Sequence, residues 1–84
     1  MIDLIEFQNV CTTFCEDHPC YILFRFSHDN YSIIFIMRRT DYKGKFYEIK
    51  HEIDIDMLYH TRFPLHSIQI VLNDMYQKLK EKTS

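Results

Sequence analysis

The ten residues Cys11-Thr-Thr-Phe-Cys15-Glu-Asp-His18-Pro-Cys20 hold all three cysteines of the chain and one of its five histidines. Three thiols and an imidazole are the donor set of a structural zinc ion, which takes four Cys or His ligands in a tetrahedron. Cys11 and Cys15 stand one helical turn apart, so both can reach one ion from the same helix face. His18 would lie two turns from Cys11 if the helix continued, too far to share the ion. Pro19 argues against continuation, and a fold-back would bring His18 and Cys20 toward Cys15. The commoner fate of such residues is plainer. Cysteine is among the most buried residue types, and Cys11 falls inside an apolar stripe as a small hydrophobe would. A Cys15–Cys20 disulfide is a third arrangement open to these residues.

Other chemistry finds less support. A nucleophilic Cys15 or Cys20 with His18 as base would also need oxyanion donors, usually backbone amides at a glycine-permitted turn. The one glycine, Gly44, lies on the opposite hairpin. There is no glycine-rich phosphate loop, no His-Glu-x-x-His pair and no nucleophile elbow. The chain is therefore expected not to be an enzyme. Asp54 and Asp56 point the same way on a strand, an arrangement that suits a divalent ion but is more often a solvated face. His28, His51, His60 and His66 are scattered. His51 reads as a hydrogen-bonded core histidine, and His60 or His66 would have to complete a zinc site from across the fold.

Two surfaces suit a partner. Arg38, Arg39, Lys43 and Lys45 flank a hairpin with Tyr42 at its tip, and basic residues interleaved with tyrosine suit phosphate or acidic-protein contacts. The plainer reading is a strand edge guarded by charge. Tyr21, Leu23, Tyr31, Ile33 and Phe35 alternate along two adjacent strands. If the helices cover only one sheet face, this set forms an aromatic patch for a partner or a second copy. If they cover both faces, the set is core.

These residues depend on a simple run of elements. From Ile2 to Asp17, Leu4, Phe7, Cys11 and Phe14 recur at spacings of three and four, which predicts an amphipathic helix ended by Pro19. Cys20 to Ser27 alternates as a strand, with Ile22, Phe24 and Phe26 on one face. Ser27-His28-Asp29-Asn30 is a turn signal, with Asp and Asn suited to positive φ. Tyr31 to Thr40 forms a central strand with an apolar run from Ile33 to Met37. The loop Asp41 to Lys45 closes a second hairpin, and Phe46 to Ile55 alternates again. Residues 56–63 are ambiguous, with a helical turn near Asp56. Pro64 then opens a last helix whose stripe is Leu65, Ile68, Leu72, Met75 and Leu79. The expectation is an α+β fold, α-β-β-β-α: a three-stranded antiparallel meander packed with two amphipathic helices.

Eighty-four residues make one domain, 1–84. An apolar fraction of 46% with seven Phe and six Tyr supplies a core, which argues against disorder. A net charge of −2 is too acidic for a dedicated duplex-DNA binder and too weak for a DNA mimic. The opening MIDLIEF lacks the basic flank and unbroken apolar stretch of a signal peptide. Ile33 to Met37 is far too short to span a bilayer, so no membrane partner is expected. Three thiols without an export signal point to a reducing cytoplasm.

In its 84-residue α-β-β-β-α format, its bias toward residues with AT-rich codons and its lack of a catalytic set, the chain resembles the small inhibitors carried by bacteriophages and mobile elements, the anti-CRISPR proteins among them. That resemblance implies a cytosolic binder that blocks a host nuclease complex. A few such proteins bind metal, which the Cys11–Cys20 segment would suit, but the likeness carries no residue roles. The expected function is a protein-binding module, monomeric or homodimeric, that inhibits a larger host assembly. The alternative is a small nucleic-acid-binding regulator acting through the hairpin from Arg38 to Lys45.

Overall fold

The computed structural model describes residues 4–83. The expected start of the first helix at Ile2 lies outside them. The elements run α1 (Leu4–Asp17), β1 (Tyr21–Ser27), β2 (Ser32–Thr40), β3 (Phe46–Asp54), α2 (Ile55–His60) and α3 (Pro64–Thr83). The α+β class and the order of elements are as expected, with α2 added at the ambiguous segment. The strands form one open antiparallel sheet in the order β1-β2-β3.

Strand pairing decides which side chains share a face, because residues directly opposite in an antiparallel pair point the same way. Phe26 pairs with Ile33, Phe24 with Phe35 and Ile22 with Met37. Across the other seam, Ile33 pairs with Ile53, Phe35 with His51 and Met37 with Ile49. This inner face is the one the helices cover. Phe7, Cys11 and Phe14 of α1 and Ile68, Leu72, Met75 and Leu79 of α3 join Ile33, Phe35 and Met37 in a single buried cluster. The Phe7 ring stacks on Phe35 at 5.3 Å and meets Phe24 at 4.8 Å, which ties α1 to β1 and β2. Both long helices therefore lie on one side of the sheet.

The opposite face follows by alternation. Leu23 pairs with Ile36 and Arg25 with Ile34, while Ile36 pairs with Lys50 and Ile34 with Glu52. Among the described residues neither long helix packs on this side, where Leu23 is exposed and Ile34 and Ile36 are half-buried; Ser32, at its end beside the first loop, is buried. Ile33 and Phe35, expected to be exposed beside Leu23, are instead 3% and 0% exposed. Loop length accounts for the difference. Residues 28–31 separate the paired Ser27 and Ser32, and a four-residue loop places odd-numbered β1 positions opposite even-numbered β2 positions.

That loop also takes an unexpected shape. The positive φ falls on Tyr31, at 47°, rather than on Asp29 or Asn30. A non-glycine residue there costs about 1–2 kcal/mol, and the Tyr31 carbonyl accepts a hydrogen bond from Ile55 N–H at 3.1 Å. The second hairpin is more conventional. Gly44 adopts φ 86°, and Asp41 Oδ1 accepts from the Lys43 and Lys45 amides, each at 2.9 Å.

Two further expectations change. Asp54 and Asp56 do not form an ion site on a strand: Asp54 caps α2, its Oδ1 accepting from the Asp56 amide at 2.8 Å. His51 is not a core histidine. It lies on the inner face but on edge strand β3, at the margin of the helical layer, and is exposed.

The register predicts unequal costs on neighbouring residues of β2. Phe35→Ala should lower the unfolding free energy by about 3–5 kcal/mol in urea titration. Ile36→Thr should cost no more than about 1 kcal/mol. Equal costs would contradict a sheet covered on one face only.

Candidate functional site

Three groups of residues carry the chemistry expected of this chain. The first is the thiol cluster where α1 hands over to β1. Cys11 is buried in the core, Cys15 and Cys20 are half-buried, and all three are free thiols. Cys20 is hydrogen-bonded to Cys15. Burial pushes the Cys11 thiol up to about 11, with Cys15 adding to the effect. Burial raises Cys20 to about 12, joined by the neighbouring Cys15 charge and hydrogen bond and opposed by the Arg39 guanidinium. Both thiols are thus held protonated at neutral pH, the form less reactive as a nucleophile.

His18 does not turn toward the thiols. Its Nδ1 donates to the Phe14 carbonyl at 3.1 Å, closing the last turn of α1. Its ring stacks on Phe14 at 4.0 Å and meets the edge of Tyr76 at 4.7 Å. Pro19 had suggested a fold-back, but the Phe14 carbonyl accepts both the His18 backbone N–H, at 2.9 Å, and the imidazole. Among the described residues, no three His, Cys, Asp or Glu side chains are arranged to hold a metal ion. His66 lies near the start of α3, about 15 Å along the helix from Tyr76, so it does not reach the cluster.

The second group is the basic hairpin, and its cations are divided. Arg38 lies on the outer face, where its Nε reaches Glu48 Oε1 at 3.0 Å. Arg39 points inward, with its guanidinium 5.2 Å from the centre of the Tyr76 ring. Its Nη1 is buried without a hydrogen-bond partner among the described residues. Lys43 lies over Tyr42 and Lys45 over Tyr47, at 5.6 and 5.4 Å. The alternation of β2 therefore puts the two arginines on opposite sides of the sheet.

The third group is the uncovered sheet face. Tyr21, Leu23, Ile34, Ile36 and Phe46 form its apolar part, with Tyr21 60% and Phe46 73% exposed. Arg25 borders it on β1, and Glu48, Lys50 and Glu52 border it on β3. An apolar centre with a mixed-charge rim is the composition of a protein-binding surface. Of the residues expected on such a patch, Tyr21 and Leu23 are here and Ile33 and Phe35 are core. Tyr31 sits elsewhere, beside a cavity of about 210 Å³ lined also by Phe7, Phe26 and Tyr59.

Ile34, Ile36 and Phe46 were missed because the doubly apolar run of β2 does not show which alternate set faces the helices. The length of the first loop was the signal that would have found them. Among the described residues no helix is long and apolar enough to cross a membrane. No family model, curated protein or solved structure matches the chain.

The thiols give a pH prediction. Their folded values lie above the unfolded value of about 8.5, so their contribution is fully present below that pH and lost as pH rises toward 11–12. The urea midpoint should fall between about pH 8.5 and 11, and Cys11→Ala with Cys20→Ala should flatten that fall. An unchanged pH slope in the double variant would contradict the assignment.

Proposed function

We propose that the chain is a small cytosolic protein-binding module that lays its bare sheet face on a larger macromolecular assembly and inhibits or adapts it. The observation that carries this reading is the placement of α1 and α3 on one side of the sheet, which leaves Tyr21, Leu23, Ile34, Ile36 and Phe46 uncovered. A bound protein would remove this apolar surface from water at about 25 cal/mol per Å². Its rim carries both signs of charge, and Arg38 is already neutralised by Glu48. That pattern suits a protein surface better than a phosphate backbone, which rewards an unbroken positive field.

The host assembly is of the kind blocked by the phage inhibitors that the chain resembles in format, with a CRISPR effector nuclease as the first case to test. The face is not acidic enough to imitate DNA, so inhibition works by occupying a protein site or holding a conformational step. This reading is one of binding without turnover.

A photo-crosslinking side chain at Tyr21 should capture one defined subunit of the target assembly, identified by mass spectrometry. The same group at Gln77, exposed on α3, should not. With a purified effector nuclease as target, Ile36→Lys should weaken inhibition of DNA cleavage by at least about tenfold, the effect of about 1.4 kcal/mol of lost binding. Equal crosslinking from both positions, or full inhibition by Ile36→Lys, would overturn the proposal.

A further inference from the structure

The two edges of the sheet are built differently. Edge strand β3 (Phe46–Asp54) carries Glu48, Lys50, Glu52 and Asp54 along its outer side, the charge pattern that discourages another strand from pairing. Edge strand β1 (Tyr21–Ser27) has the sequence Tyr-Ile-Leu-Phe-Arg-Phe-Ser. It has one charge, no proline and no bulge, since its pairing with β2 is unbroken over all seven residues. Such an edge exposes a ladder of backbone donors and acceptors between apolar side chains. It pairs with another strand unless something prevents it.

The space beside this edge is also apolar and open. A cavity of about 490 Å³ lies between β1 and α1, lined by Gln8, Thr12 and Cys15 on the helix and by Ile22, Leu23 and Phe24 on the strand. Ile22 and Phe24 face inward and Leu23 outward, so the cavity opens along the strand edge itself. Gln8, Thr12 and Cys15 belong to a row with Ile5 at spacings of three and four, and the row carries no charge. Ile5 is 67% exposed. Phe26, on the inner face of β1, is 51% exposed and left at the margin of the helical layer.

We infer that β1 pairs antiparallel with β1 of a second copy, joining two sheets into one of six strands about a two-fold axis. The strand is complementary to itself. In the register with full overlap, Phe24 lies on the axis opposite its own copy, and each Ile22 faces the other chain's Phe26. That places each exposed Phe26 over the cavity beside its neighbour's Ile22. On the outer face Arg25 falls opposite Leu23 and Tyr21 opposite Ser27, so the two Arg25 side chains are diagonal neighbours across the axis and not directly opposed. The α1 rows approach each other above the seam, and neither brings a charge into it. The contact is isologous, and the addition closes after two copies because β3 is guarded.

The size of the contact sets its strength. A seven-residue seam is roughly 24 Å long, and a sheet plus a helical layer is roughly 20 Å deep. The two footprints together cover roughly 1,000 Å², the threshold a biological interface clears. The dimer is therefore concentration-dependent. It does not rest on the proposed host partner, but it would double the bare outer face available to one.

Sedimentation velocity across a wide concentration series tests the pairing. The wild-type chain should shift from monomer to dimer mass, and Phe26→Lys should remain monomeric with an unchanged circular dichroism spectrum. Ile36→Lys, at the centre of the outer face, should still dimerise, which separates this contact from the partner surface. If Phe26→Lys fails to fold, amide exchange on the wild-type chain decides: protection within residues 21–27 should rise with concentration, and that within 46–54 should not. A monomer at every concentration, a dimer that survives Phe26→Lys, or one lost with Ile36→Lys overturns the inference.

Discussion

A three-stranded sheet has two faces, and α1 and α3 both pack on the one that carries Phe24, Phe35 and Met37. The contact that sets this arrangement is aromatic. Phe7 reaches from α1 to stack on Phe35 and touch Phe24, burying three large rings at the junction of helix and sheet. Tyr76 does similar work at the other end, meeting Phe14 of α1 and His18 just beyond it and lying under Arg39 from β2. With both long helices committed to the inner side, neither is left in the described chain to cover the centre of the outer side.

The surface chemistry follows from that commitment. The thiols between α1 and β1 are drawn toward the helical layer, where burial raises Cys11 and Cys20 and holds them protonated. The arginines separate across the sheet because they are neighbours on one strand. What was a basic cluster in the sequence becomes an outward ion pair and an inward cation over an aromatic ring. Among the described residues, the bare face and the β1 edge each carry exposed apolar side chains, Tyr21, Leu23 and Phe46 on the face and Phe26 at the edge.

Much of the fold was legible in the residues. The stripe Leu4, Phe7, Cys11, Phe14 marked α1, and Pro19 marked its end to within two residues. The alternation from Phe46 and the stripe from Leu65 to Leu79 marked β3 and α3. The candidate site was less legible, for a definable reason. A strand apolar on both faces, such as Ile33 to Met37, gives no sign of which half points inward. The answer lies in whether the loop before it has an even or odd number of residues, and that turned on one position. Tyr31 carries the left-handed backbone that its neighbours Asp29 and Asn30 would adopt more cheaply, so it belongs to the loop and not to the strand. His18 was misleading in a different way. Its type and spacing suit a metal, but its ring stacks on Phe14 and its Nδ1 shares the Phe14 carbonyl with its own backbone N–H. Side-chain type alone does not reveal that competition.

Solvent paramagnetic relaxation of the methyl groups tests the central claim most directly. If both helices lie on one face, a soluble paramagnetic probe should strongly broaden the methyl signals of Leu23, Ile34 and Ile36. Those of Ile33, Ile68 and Leu72 should be little affected. Such a pattern would hold in monomer and edge-paired dimer alike, since neither covers the outer face. Equal protection of Ile34 and Ile33 would mean that both faces are covered, contradicting the account of the bare face as the working surface.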